Sequence, residues 1–457
     1  MNTDYSKLNE KILELAEKFG ENGAFLADRK GKTVLSTVFG KSLMTEEPIK
    51  AESRYLMPLC CSSMLALCAF ILIDGGKLRL SDKLSKFIPE FEHADKIAIR
   101  HLLAGKSGIR DFYFGEIRRN LDKDEEYSSL SDLDRRKKDM ELYLRDYSFE
   151  TVLNSIKGKE LEHEPGVSGD FSSSGAAFLR EIIERVTGIP VSEFIEKEIF
   201  EKLGMSETKI GVCENALPLF ALFRNEEYIR YNTENTDFPF FTTTVSDLEK
   251  LMLGIFEHRL FSEKLWKAAT KFDSDNVGLG FGGLDGFSVF AFDFNEFSSA
   301  VFYFDKENDF CWLRATNCGS KYIQNDDSKI LFFPKEVRME LSPIFTFPKN
   351  IAGQGTFQTE HQQPSCAVEQ NIHGGLCGNC QCMPFLQQNT AGTAGDPGAA
   401  LGDAQPQVGA HFLHILQQGD HRIAGRIDSR RQLLHGRHIR LTHLGDGIGI
   451  HLLAASG

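Results

Sequence analysis

Leu8, Ile12, Leu15 and Phe19 recur at helical spacing among charged residues, so the chain opens with a predicted amphipathic helix. The next stretch, GAFLADRKGKTVLSTVFGKSL, has β-branched residues around Val34 and Val38 and a break at Lys30-Gly31-Lys32, the pattern of two strands and a turn. MLALCAFILI, Met64 to Ile73, is apolar on every side. It predicts a buried helix over Ser62 to Gly75, closed by Gly75-Gly76, and is too short to cross a bilayer. Glu116 to Asp146 is densely charged with helical spacing and no strong apolar stripe, which reads as a solvated helical insertion.

Farther on, Ala177, Leu179, Ile182, Ile183 and Val186 have helical period and stop at Thr187-Gly188-Ile189-Pro190. A second helix is predicted from Val191 to Leu203, and a third opens at Ser246-Asp247 with one of those residues as its cap. The period then changes from 3.6 to 2. VGLGFGG, FSVFAFDF, SSAVFYFD and FCWLRAT predict an antiparallel meander between Val277 and Thr316. Helices around a hairpin and a meander indicate an α+β fold, an antiparallel sheet flanked by helices with an all-helical insertion at about 110–240.

Composition divides the chain near residue 350. Residues 351–457 contain no Lys, Tyr or Trp, yet hold 9 of the 13 His, 4 of the 10 Cys and 17 of the 40 Gly. The first 350 residues carry 46 of the 52 basic and 58 of the 65 acidic side chains, a net charge of −12. That charge disfavours nucleic acid or an anionic membrane as partner and leaves a small molecule, a peptide or another protein. The opening helix lacks the uninterrupted apolar core of a signal peptide, and Cys60, Cys61, Cys68, Cys213, Cys311 and Cys318 show no regular framework. Reduced thiols and a cytoplasmic location are expected.

In the tail, Cys366, Cys377, Cys380 and Cys382 lie near His361 and His373. Only Cys377-Gly378-Asn379-Cys380 has knuckle spacing, so no metal or cofactor is assigned. Residues 392–411 read as a linker, and HFLHILQQ reads as a short helix. A native disordered or fused tail and an out-of-frame segment both fit this composition.

Several strings in order resemble the serine-hydrolase family of class C β-lactamases, low-molecular-weight penicillin-binding proteins and related esterases. They are GGKLRLSDKLSKFIPEF at 75–91, IAIRHLLAGKSGIRDF at 97–112, EPGVSGDFSSSGAAFLREIIERVTG at 164–188, FIEKEIFEKLGM at 194–205 and TTTVSDLEKLMLGI at 242–255. The resemblance runs from about Gly23 to about Thr316 and implies the β-lactamase/transpeptidase-like fold. It also implies a Ser nucleophile at the start of a buried helix, with a Lys one turn later to accept its proton.

Counted back from Gly76-Lys77-Leu78, those two positions are Leu59 and Ser62. The second motif, Tyr-x-Asn, falls on Phe171-Ser172-Ser173, and the Lys or His of the third falls within Phe290-Ala291-Phe292-Asp293. Phe cannot relay a proton, and Ser173 is too short to reproduce an amide's paired donor and acceptor. The only literal SxxK, Ser206 to Lys209, lacks the helical context. These replacements imply a scaffold without the family's chemistry, whose cleft, lined by Leu59, Cys60, Phe171, Ser173 and Phe292, binds an apolar ligand or is filled. The alternatives left open are an atypical nucleophile and a cysteine at 60 or 61; a small structural thiol is the commoner role for such a residue.

Overall fold

The computed structural model describes residues 5–121, 123–167, 172–222, 228–231, 233, 236–284, 287–294, 298–317, 433–434, 437–444 and 447–453. The first helix, α1 (Ser6–Phe19), buries Leu8, Ile12 and Leu15 and ends at Gly20 in the left-handed conformation. Strands β1 (Gly23–Arg29) and β2 (Lys32–Phe39) form the expected hairpin. β1 then pairs with the last strand of the meander, β11 (Phe310–Thr316), from Gly23 opposite Thr316 to Arg29 opposite Phe310. With β8 (Gly282–Leu284), β9 (Phe287–Phe294) and β10 (Ser298–Asp305), the antiparallel sheet has the order β2-β1-β11-β10-β9-β8. Gly23 has no room for a side chain, because a Cβ there would overlap the Ala315 carbonyl.

A second sheet has the order β3-β7-β4, from β3 (Arg54–Pro58), β4 (Lys209–Ile210) and β7 (Phe240–Thr244). Strand β3 leads into α2 (Ser62–Asp74), nine of whose residues are buried. This helix packs on β9 and on α8 (Ser173–Thr187), which ends at a left-handed Gly188. Gly280, with φ of +68°, lies so close to Ala66 of α2 that no Cβ would fit. The segment 277–281 is therefore irregular, and the strand expected over VGLGFGG begins only at Gly282.

Between α3 (Ile99–Leu103) and α8 lie α4 (Arg119–Leu121), α5 (Glu125–Ser129), α6 (Asp132–Tyr143) and α7 (Phe149–Ile156). The charged stretch is mostly solvent-facing, with Tyr127, Met140 and Leu144 buried, and Tyr127 donates a 2.7 Å hydrogen bond to Asp139. The insertion is also not all-helical, since β4 falls within it, as do β5 (Phe220–Leu222) and β6 (Tyr228–Arg230).

Helix α9 (Val191–Ile195) continues into a wider π turn over Glu196–Glu201, so the helix expected from Val191 is present but not uniform. Helices α10 (Val245–Phe256) and α11 (Glu263–Ala269) follow β7. The cap of α10 is Thr244, whose side chain accepts from the Asp247 N–H, rather than Ser246 or Asp247. Asp247 instead lies inside the first turn, accepting from Thr208 and Lys250.

Residues 385–457 form a second compact unit. Its described part is an antiparallel meander of β12 (Leu433–Leu434), β13 (Arg437–Leu444) and β14 (Gly447–Leu453). The tail cysteines, the linker and HFLHILQQ lie outside the described residues. Among the described residues no helix is long and apolar enough to cross a membrane.

Candidate functional site

Strand β3 delivers Leu59 to the start of α2. The Leu59 N–H donates 2.8 Å to the Pro239 carbonyl, and Cys61 takes the extended cap conformation without a side-chain cap bond. Leu59 is 1% exposed and belongs to the same apolar core as Cys61, Leu65 and Phe290. Ser62 opens the helix half-buried, and the adjacent Ser63 hydroxyl is buried with no hydrogen-bond partner. The Leu59 side chain is hydrocarbon, with neither an acid proton to transfer nor a lone pair to attack with.

The cysteine alternative has little chemical support. Cys60 is half-buried, and burial pushes its thiol up to about 12, against a lowering by the Arg180 guanidinium; Asp146 and Glu184 raise it further. At neutral pH it remains a thiol, a poor nucleophile. Burial likewise pushes the Cys68 thiol well up. The literal SxxK also fails on geometry, because Ser206 is exposed in a turn and Lys209 begins β4, so they do not share a helix face.

At the second motif, Ser172 caps α8 by accepting from the Gly175 N–H at 3.2 Å while donating to the Ile109 carbonyl at 3.1 Å. Ser173 donates through both its N–H and its hydroxyl to Asp111, the hydroxyl at 2.7 Å. Ser174 accepts from the Phe112 N–H and donates to the Arg110 carbonyl. Three consecutive serines thus tie the start of α8 to the 109–112 segment. Burial raises the Asp111 carboxyl above its usual range, opposed by hydrogen bonds from Ser173, Phe114 and Tyr113. Phe171 lies outside the described residues.

At the third motif, Phe290 is in the core. It is 1% exposed, stacks on Phe302 with ring centroids 6.2 Å apart and meets the Phe281 ring in a tilted contact at 5.1 Å. Phe292 is opposite Ala300 on β10, and its side chain lies outside the described residues. The structure therefore joins Leu59 and Phe290 through one core and gives Ser173 a structural partner.

Two residues of the 97–112 segment organise this region, and the sequence pattern assigned no role to the first of them. Lys106, 7% exposed, places its ammonium 2.6 Å from Asp273 and 3.0 Å from Asp275, while its carbonyl accepts from Gly166. His101 caps α3, its Nδ1 accepting from the Ala98 N–H at 3.2 Å. Local sequence gave no signal for the Lys106 pair, because Asp275 is 169 residues away. Among the described residues no group of three or more His, Cys, Asp or Glu could hold a metal ion.

A family model described as Beta-lactamase matches residues 10–321. The chain belongs to the β-lactamase family. A penicillin-binding protein of Bacillus subtilis is 28% identical over 197 residues, which are 43% of this chain and 39% of that protein. The chain thus matches about two fifths of the length of that curated relative. Among solved structures, a penicillin-binding protein from Bacillus halodurans matches with a TM-score of 0.55 and 17% identity, over 73% of this chain and 99% of the other. A D-amino acid amidase from Ochrobactrum anthropi also has a TM-score of 0.55, at 16% identity over 74% and 99% of the two chains. At such identities these structures establish the β-lactamase-family fold, an antiparallel sheet flanked by helices.

Proposed function

We propose that this β-lactamase-family chain is a non-catalytic scaffold that acts by binding a small molecule, a peptide or a protein partner, in a reducing compartment such as the cytoplasm. The observation that carries the reading is Leu59, buried where the family's resemblance calls for a serine. The Cys60 thiol, pushed up to about 12, supports it by removing the nearest substitute nucleophile. The side chains of Leu59 and Phe290, both in the apolar core, offer no donor to a developing oxyanion, and the Leu59 N–H is engaged by the Pro239 carbonyl. Incubation with a fluorescent penicillin and with a fluorophosphonate probe tests the reading; the expected result is no covalent labelling, and stoichiometric labelling at any serine refutes it.

One observation favours a second reading, a residual amide or ester hydrolase. The Ser173 hydroxyl donates to the buried Asp111, an acid–base pair at a motif position. The Ochrobactrum protein is a D-amino acid amidase. Turnover of a p-nitrophenyl ester or a D-amino acid amide that disappears in Ser173→Ala would establish this reading in place of the first.

A further inference from the structure

Residues 144–147 join α6 to α7 and are fixed at both ends by apolar contacts. Leu144, 1% exposed, enters an apolar cluster with Leu56 of β3 and Phe240 of β7, and the Tyr147 ring meets Phe112 edge-on at 5.1 Å. Between these anchors the contacts are polar. Thr236 donates to the Leu144 carbonyl at 2.5 Å, and the Asp146 N–H donates to Asp237 at 3.0 Å. Two residues beyond Asp237, the Pro239 carbonyl accepts from the Leu59 N–H. The Asp146 carboxylate is held from α8 by Arg180, which donates to both oxygens, at 2.6 and 3.3 Å.

The ion pair therefore bridges two walls of the motif region: the 236–239 stretch bonded to Leu59, and the helix that begins at Ser173 and packs on α2. Cys60 stands between Leu59 and α2, and Arg180, Asp146 and Glu184 are charges that act on its thiol. Arg180 and Asp146 are 30% and 34% exposed, so water competes for both partners and each side chain can change rotamer without backbone movement. The two side chains can swing aside while Leu144 and Tyr147 keep the backbone of the segment in place.

We propose that the Arg180–Asp146 pair is a side-chain gate beside Cys60, closed in this structure, which gives access to the start of α2 when the guanidinium leaves the carboxylate. The gate stands whether the chain binds or hydrolyses a ligand, because its readout is access to a thiol and not binding or turnover. Burial is the first cause of the raised Cys60 pKa, so opening the gate hydrates the thiol and makes it more reactive.

Alkylation of the full chain by iodoacetamide, a neutral reagent, followed over time by peptide mapping, tests the gate. Of the three charges, Arg180 alone favours the Cys60 thiolate, so on charge alone Arg180→Ala would slow the reaction. With the gate removed, Cys60 should instead be alkylated severalfold faster, while the buried Cys68 and Cys311 stay as slow as before. An unchanged or slower Cys60 rate overturns the proposal, and so does a joint rise at all three thiols, which is general loosening. If that variant does not fold, Arg180→Lys decides by the same readings, because it keeps the positive charge and loses the two-pronged grip on the carboxylate.

Discussion

The segment from Ala98 to Phe112 and the three motif positions lie in one domain, yet their polar groups have different fates. In the segment, His101 and Ser107 hold local backbone N–H groups, while Lys106 and Asp111 join separate stretches of chain. At the motif positions, Leu59 and Phe290 are core hydrocarbon, and Ser173 is committed to Asp111. Hydrogen bonds and an ion pair hold the first region, and apolar packing holds Leu59 and Phe290.

Truncating the apolar position should have the largest effect. Leu59→Ala leaves a cavity in a site 1% exposed and should cost about 2–5 kcal/mol of stability in chemical denaturation. A loss under about 1 kcal/mol would mean that Leu59 is not integral to the core. Lys106→Met comes next. It unpairs Asp273 and Asp275, which remain 39% and 48% exposed, so the loss should be roughly 1–3 kcal/mol, below that for a fully buried pair. Its sharper readout is faster hydrogen exchange confined to the 162–167 and 273–283 segments, and uniform exchange would break the contrast between the two regions.

The double substitution Leu59→Ser with Ser62→Lys restores the first motif alone. No acylation by a fluorescent penicillin is expected, because Phe290 remains in the core and Ser173 remains bound to Asp111. Acylation would show that those two positions are no obstacle.

The smallest effect is a pH dependence. Burial lowers the His101 pKa, with Arg100 and Lys83 adding to the shift, so the unfolded chain binds the proton more tightly. The stability that neutral His101 contributes is present above about 6.5 and is lost as the pH falls through the folded value. His101→Gln should flatten that part of the stability–pH curve; an unchanged slope would remove His101 as its source.

Helix α2 was legible because it is apolar on every side, and α8 because Thr187-Gly188 ends a clear 3.6 period. β9, β10 and β11 were legible from their period of 2. The charged insertion is solvated as its composition indicates, and the burial of Tyr127 and Met140 was not legible because two such residues are too few to form a stripe. The Thr244 cap was missed because Ser246 and Asp247 are equally good caps in sequence, and only the end of β7 selects among them.

By itself, the order of motifs and periodic segments determined the family and the sheet-and-helix fold. These are properties of residue type and spacing, carried by short stretches of chain. Tertiary structure decided what those residues touch. Phe290 joins the core through Phe302 and Phe281, Lys106 pairs with Asp273 and Asp275, and Lys306 comes to rest on Phe256 and Trp266. Burial, pKa shifts and ion pairing depend on distances between residues that chain folding brings together, and no local pattern encodes them.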